Sequence, residues 1–127
     1  LKTIKKSKKI ILRVWKKNNN ISKKLIIMHC VSSYPVLDKE ANLLAIKTLK
    51  DNFKDCVIGY SDHTLGNASA LAAVALGAKV IEKHFTIDKN FSNFRDHKLS
   101  ANPIEMKSLV NNIRKLEILM GDGKKIC

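Results

Sequence analysis

Residues 56–85 read CVIGYSDHTLGNASALAAVALGAKVIEKHF, and this stretch decides the fold. Two apolar runs of strand length, 57–61 and 80–85, enclose an alanine-rich helical stretch. Strand, helix and strand in this order are typical of a βαβ unit, whose two strands are parallel. Each run leads to a histidine, His63 and His84, so we expect two imidazoles at the same edge of one sheet.

Upstream of this unit, helix and strand continue to alternate. Residues 4–17 have the spacing of an amphipathic helix. Its predicted packing stripe consists of Ile10, Ile11, Val14 and Trp15. Residues 25–31 are a continuous apolar run, as expected for a strand covered on both faces. Asp38 is then predicted to cap a helix that continues to Asn52.

Downstream, a polar loop is predicted over residues 88–100, followed by one more helix. Asn102 suits the N-cap, Pro103 the first helical position and Glu105 the third, which together make a strong helix-start signal. Apolar residues then recur at helical spacing up to Gly121, which suits the helix end. Each predicted strand is therefore followed by its own helix.

This element order predicts a parallel α/β fold, either a barrel or a doubly wound sheet. The sequence contains no GxGxxG or GxxxxGK[ST] motif, which argues against a nucleotide-binding doubly wound fold. A complete (β/α)8 barrel needs about 250 residues, whereas this chain has 127. We therefore expect part of a TIM-barrel-type fold, with residues 1–24 as a basic helix and loop and residues 25–127 as a partial barrel.

The positive charge is unevenly distributed. Residues 1–24 hold ten Lys or Arg and no acidic residue, whereas residues 25–127 hold fourteen basic and eleven acidic residues. A basic arm suits nucleic acid or an anionic membrane, but a solvated helix and loop has the same composition and is the interpretation we favour. No apolar run approaches the about 20 residues of a membrane span. Three cysteines without a CxxC pair indicate a reduced, cytoplasmic setting.

The two histidines at the strand ends are the main candidates for chemistry. His63 and His84 suit a divalent metal such as Mn²⁺ or Zn²⁺. Each taken alone is more often a hydrogen-bonded core histidine, but their equivalent placement on consecutive strands makes the metal interpretation equally favoured. Two imidazole ligands leave coordination positions for water and substrate. Glu82 lies on the same side of its strand as His84, where a carboxylate would orient an imidazole.

Hydroxyl and carboxyl groups follow the same strands. Ser32, Ser61 and Tyr34 offer hydroxyls at strand ends, and turn amides near them suit anionic oxygens. Asp96 is a loop carboxylate that suits sugar hydroxyls, or else a solvated charge.

Six segments, in order, resemble the N-acetylneuraminate (sialic acid) synthase family. They are HCVSSYP (29–35), GYSDHTLG (59–66), AVALGA (73–78), IEKHFT (81–86), DHKLS (96–100) and GDG (121–123). The resemblance implies the last three βα units of a (β/α)8 synthase. Such an enzyme condenses phosphoenolpyruvate with N-acetylmannosamine or a related hexosamine, and it releases a nonulosonic (sialic) acid and phosphate.

The resemblance also implies residue roles. His63 and His84 would be the two protein ligands of a catalytic divalent ion, Mn²⁺ foremost, with Mg²⁺ or Co²⁺ as alternatives. Asp96 would take part in catalysis by contacting the acceptor sugar. Many members have a Gly-Pro-Asp loop where this chain has Phe94-Arg95-Asp96, which leaves the identity of the sugar open.

The substrate contacts implied by the resemblance involve four residues. Ser32 and Ser61 would lie against phosphoenolpyruvate, and Tyr34 would join Asp96 at the sugar. The intact enzyme would be a homodimer, and we expect the isolated chain to be inactive because the first five βα units are not represented in it. Two alternatives stay open: a non-catalytic basic α/β module that binds nucleic acid or an acidic partner, and a metal-dependent aldolase or isomerase half-barrel.

Overall fold

The computed structural model describes residues 1–19 and 24–124, so predictions that fall on residues 20–23 and 125–127 lie outside it. Its strands are β1 (Ile26–Cys30), β2 (Val57–Asp62) and β3 (Val80–Lys83). The helical segments are α1 (Lys2–Lys17), a 3-10 turn (Asp38–Glu40), α2 (Leu44–Asn52), α3 (Ala68–Ala75), α4 (Arg95–Leu99) and α5 (Pro103–Met120). The three strands form one parallel sheet in the order β1-β2-β3, which confirms the predicted parallel α/β architecture.

Helices cover one face of this sheet. The core on that face joins the apolar residues Ile46, Leu49, Phe53, Ile58, Tyr60, Ala73 and Ala78. On the other face, Met28, Gly59 and Val80 lie opposite one another in register. A Cβ at Gly59 would approach the Val80 carbonyl oxygen to 2.9 Å and Met28 Cγ to 3.1 Å. Glycine therefore leaves the space that Met28 and Val80 occupy on this face of β2.

The predicted helix over residues 38–52 is interrupted in the structure. The chain forms the 3-10 turn and then α2, and Asn42 between them has a φ of +43°. Asparagine is one of the residues that tolerate this left-handed conformation. The His29 ring bonds through Nε2 to the Ala41 carbonyl oxygen at 2.8 Å. The bond from His29 of β1 therefore holds the chain next to the interruption at Asn42. The helical periodicity of residues 38–52 does not reveal this contact.

The prediction of a polar loop over residues 88–100 is wrong for its second half, which forms α4. Leu99 at the end of this short helix is only 2% exposed. The chain then returns to the end of β3, where the Ala101 amide donates to the His84 carbonyl at 2.8 Å and the Thr86 amide donates to the Ala101 carbonyl at 3.0 Å. A five-residue helix with one buried apolar residue carries too little periodicity to be recognised in the sequence.

The packing stripe predicted for α1 is wrong in part. Ile11 and Trp15 are half-buried, whereas Ile10 and Val14 are each 47% exposed. Ile4 completes the inward side and packs against the core. Ile4, Ile11 and Trp15 are separated by seven and four residues, which is the spacing of one helix side. Among the helices of the described residues, none is long and apolar enough to cross a membrane.

The start of α5 is the predicted one. Asn102 Oδ1 accepts from the Glu105 amide at 2.9 Å, and Glu105 Oε2 accepts from the Asn102 amide at 3.0 Å, which makes a complete capping box. Lys89 Nζ donates to Glu105 Oε1 at 2.6 Å. This bond, and then the Asn102 amide, hold the pKa of Glu105 below its ordinary value.

We expect Glu105→Gln to lower the free energy of unfolding at pH 7 but not in acid. Glutamine keeps the capping geometry and removes only the charge. Because the folded-state pKa of Glu105 is lowered, its stabilisation is complete above the unfolded-state pKa of about 4.3 and is lost as pH falls through the folded value. The loss at pH 7 should be less than about 1 kcal/mol, since solvent screens this partly exposed pair.

Urea denaturation from pH 7 to pH 3 measures this difference. Glu117→Gln, at a carboxylate of the same helix that pairs with Arg114 in solvent, is the matched control. A constant difference between parent and Glu105→Gln across the pH range would contradict the assignment.

Candidate functional site

Four side chains meet beyond the carboxyl ends of β2 and β3: Tyr34, His63, His84 and Asp96, which we call the histidine cluster. The two imidazole centroids are 5.2 Å apart, with the ring planes at 62°. The Tyr34 ring stacks on His63 at 4.3 Å and meets His84 edge-on at 5.6 Å. Asp96 Oδ2 lies 3.9 Å from His84 Nδ1. The structure thus brings together residues that are up to 62 positions apart in the chain.

His63 is held at both its ring and its backbone. The residue is 5% exposed, and its Nδ1 lies 2.9 Å from the Val31 carbonyl oxygen. Its own carbonyl accepts from the Val36 amide at 2.9 Å. Because a carbonyl can only accept, Nδ1 carries the proton and the neutral ring keeps a lone pair on Nε2. That tautomer is the one in which a histidine binds a metal through Nε2.

His84 follows β3 directly and is half-buried, with its side chain 32% exposed. The distance of 3.9 Å to Asp96 is too long for a hydrogen bond but is within ion-pair range when the ring is protonated. In metal sites, a histidine that binds the metal through one ring nitrogen is commonly oriented by a carboxylate beside its other nitrogen. Asp96 therefore lies where its carboxylate can orient the His84 ring and can also contact a bound ligand.

Ser61 and Glu82 form a separate pair on neighbouring strands. Ser61 is 6% exposed, and its hydroxyl donates to Glu82 Oε1 at 2.6 Å. The prediction that Glu82 orients an imidazole is therefore wrong, because this carboxylate accepts from Ser61 instead. An ionised carboxylate only accepts, so Ser61 in this arrangement offers a ligand its oxygen lone pairs and not its proton.

Ser32 and Tyr34 both lie in the loop between β1 and the 3-10 turn. Tyr34 is half-buried through its stacking on His63, whereas Ser32 is exposed. The phenol ring of Tyr34 covers one face of the His63 imidazole and so limits the approach of water from that side. The predicted contact of Ser32 with phosphoenolpyruvate stays a prediction.

A buried polar network that sequence reasoning missed lies beside the cluster. Lys83 Nζ donates to Asp62 Oδ2 at 2.8 Å, and the two side chains are 3% and 0% exposed. Asp62 Oδ1 accepts from the Thr64 amide at 2.9 Å and from the Thr64 hydroxyl at 2.8 Å. Burial, and then the Asp62 charge, raise the pKa of Tyr60 to about 12, so its phenol stays protonated and donates to Asp62 at 3.3 Å. The available sequence signal was a charged residue directly before each strand-end histidine.

The two histidines fit a shared metal ion. Imidazole nitrogens bind divalent metals at about 2.1 Å, which places the centroids of two rings on one ion about 5 Å apart. The observed separation of His63 and His84 is 5.2 Å. Within residues 1–19 and 24–124, no group of three His, Cys, Asp or Glu side chains is arranged to hold a metal. The described residues therefore bring two imidazoles to a separation that one ion could span, with no third such side chain beside them.

Comparison with known proteins supports the similarity found in the sequence. The NeuB family model matches residues 1–125. An N,N'-diacetyllegionaminic acid synthase of Campylobacter jejuni is 51% identical over 114 residues, which cover 90% of this chain and 34% of that protein. The N-acetylneuraminate-9-phosphate synthase of Mus musculus is 43% identical over 98 residues, which cover 77% of this chain and 27% of that protein.

A solved structure gives the same result for the fold. The N-acetylneuraminic acid (sialic acid) synthetase of Leptospira borgpetersenii superposes with a TM-score of 0.78 at 39% identity, covering 94% of this chain and 40% of that one. The chain spans about a third of the length of the curated relatives that it matches. Its three parallel βα units are thus part of the TIM-barrel-type fold of these synthases. With a family match over nearly its whole length, this protein belongs to the NeuB family.

Proposed function

We propose that this chain supplies part of the active site of a synthase that joins phosphoenolpyruvate to an N-acetylhexosamine, giving a nonulosonic acid and inorganic phosphate. The observation that carries the proposal is the histidine cluster, in which side chains from distant segments meet at the strand ends. In a barrel of parallel strands, this end is where catalytic groups lie. The names of the matched synthases support the reaction class.

His63 and His84 would hold the divalent ion of this enzyme, Mn²⁺ foremost, with Mg²⁺ and Co²⁺ as alternatives. The support is their 5.2 Å ring separation and the lone pair left on His63 Nε2. When bound, such an ion supplies Lewis-acid polarisation of the sugar aldehyde.

In the reaction, the methylene carbon of phosphoenolpyruvate forms a bond to the aldehyde carbon of the open-chain sugar, and the aldehyde oxygen takes a proton. The C=C π electrons form this bond and leave a cationic centre at the former enol carbon. Water adds there, and as the bond from that carbon to the phosphate oxygen breaks to leave a ketone, one proton of the water accounts for that on the aldehyde oxygen and the other goes to the released phosphate. Tyr34 would shield the site from bulk water on the His63 side, and Asp96 would accept hydrogen bonds from sugar hydroxyls. Holding the reactants in this geometry is itself a large part of the rate gain.

Ser61 and Ser32 would contact phosphoenolpyruvate. For Ser61 to donate to this anion, its hydroxyl must rotate away from Glu82, to which it donates in the structure. The proposed role of Ser61 is therefore coupled to the position of the Glu82 carboxylate.

We expect removal of either cluster histidine to weaken Mn²⁺ binding at least about tenfold, since even indirect supports of a ligand have effects of that size. The variants are His63→Ala and His84→Ala, and electron paramagnetic resonance of free Mn²⁺ gives the affinity. His29→Gln is the control, because His29 bonds to Ala41 through Nε2 and glutamine can keep a donor there. Equal affinity in the parent and in both alanine variants would remove these histidines as ligands.

We expect the isolated chain to give no phosphate release from phosphoenolpyruvate with N-acetylmannosamine and Mn²⁺. Within the described residues, β1 and β3 each pair on one side only, so the sheet does not close around a substrate. A phosphate assay over several hours measures this. Turnover that is lost in His84→Ala would show that the chain is catalytically complete, against this expectation.

A further inference from the structure

A buried ion pair lies directly behind the histidine cluster. Asp62 ends β2 and precedes His63, while Lys83 ends β3 and precedes His84. Asp62 and Lys83 are also the last opposed pair of the β2–β3 ladder. Successive side chains of a strand point to opposite faces, so the ion pair and the histidines occupy opposite faces at the same level.

The ion pair also holds the chain that leaves β2. Lys83 Nζ donates to the Thr64 carbonyl at 3.0 Å, and the Thr64 amide and hydroxyl both donate to Asp62 Oδ1. The Thr64 hydroxyl further bonds to the Ser69 hydroxyl at 2.5 Å, which links this turn to α3. Thr64, the residue after His63, is therefore bound to both the Asp62 carboxylate and the Lys83 ammonium group.

Stability alone gives a weak reason for this arrangement. Removing two charges from water costs free energy that their attraction only partly offsets, so an apolar pair of similar size is often as stable or more stable. An apolar pair does not supply directional bonds, whereas Asp62 and Lys83 bond to each other at 2.8 Å and to Thr64 backbone atoms at 2.9 and 3.0 Å. Such bonds fix the relative position of two strand ends at the point where the ladder stops.

We propose that the Asp62–Lys83 ion pair positions His63 and His84, setting the separation of their rings and, through it, the metal affinity of the pair. Asp62 and Lys83 act through the backbone and are positioning residues. The consequence for metal binding rests on the proposed function, whereas the consequence for ring geometry does not.

The test uses the double variant Asp62→Asn/Lys83→Met, which removes both charges and so leaves no unpaired buried ion. Asparagine keeps an oxygen that can accept from the Thr64 amide. The first readout is proton NMR of the metal-free chain, in which Tyr34 stacked at 4.3 Å shifts the His63 ring protons upfield. The second readout is Mn²⁺ affinity. We expect the upfield shift to fall by at least about half and Mn²⁺ binding to weaken about tenfold, as for other residues that orient ligands.

Two controls separate positioning from a general loss of stability. Lys8→Met breaks the ion pair of Lys8 with Asp55, which lies before the amino end of β2. Ile46→Val disturbs the buried core on the helical face. Both controls should keep the parent ring shift and Mn²⁺ affinity. Tyr34→Leu removes the stacked ring, so the upfield shift of the His63 ring protons should disappear in this variant if Tyr34 causes it.

The outcomes for the two proposals can be told apart. A folded double variant with the parent ring shift overturns the positioning role and leaves the metal site intact as a proposal. A parent chain that binds no Mn²⁺, together with a double variant that loses the shift, supports positioning and removes the two-histidine metal site. Loss of the shift in Ile46→Val to the same extent would also overturn positioning, since general destabilisation would then explain it.

Discussion

Parallel pairing of β2 with β3 ends at Asp62 opposite Lys83, and the geometry of the candidate site depends on this point. Each of these residues is followed by a histidine, so the end of the ladder sets two imidazoles side by side. A slip of one residue in register would turn one histidine towards the helical face, because side chains alternate along a strand. The buried ion pair between Asp62 and Lys83 lies where such a slip would begin.

The remaining parts of the cluster come from connecting segments. The loop after β1 supplies Tyr34 and is tied to His63 through the carbonyl of Val31 and the amide of Val36. Asp96 comes from α4, whose following residues return to the end of β3 through backbone bonds. The strands thus position the two histidines, while the connecting segments supply Tyr34 and Asp96, the groups suited to contact a ligand.

The site has two layers with different chemistry. The outer layer is the histidine cluster, and the layer below it is the Ser61–Glu82 pair, one step down the same strands. Glu82 is exposed, and its carboxylate repels an anionic substrate, so the proposed binding of phosphoenolpyruvate near Ser61 would be coupled to movement of Glu82. This coupling arises because Glu82 and Ser61 occupy opposed positions in the ladder.

The sequence by itself determined the parallel βαβ order, the start of α5 and the placement of His63 and His84 at neighbouring strand ends, because local periodicity and capping residues encode these features. The residues also pointed to Tyr34 and Asp96 as candidates, and the family motifs implied their roles. Only the tertiary structure decided the break at Asn42, the formation of α4, the partner of Glu82 and the ion pair of Asp62 with Lys83. Each of these depends on contacts between residues far apart in the chain, and neither propensity nor spacing within one segment records such contacts.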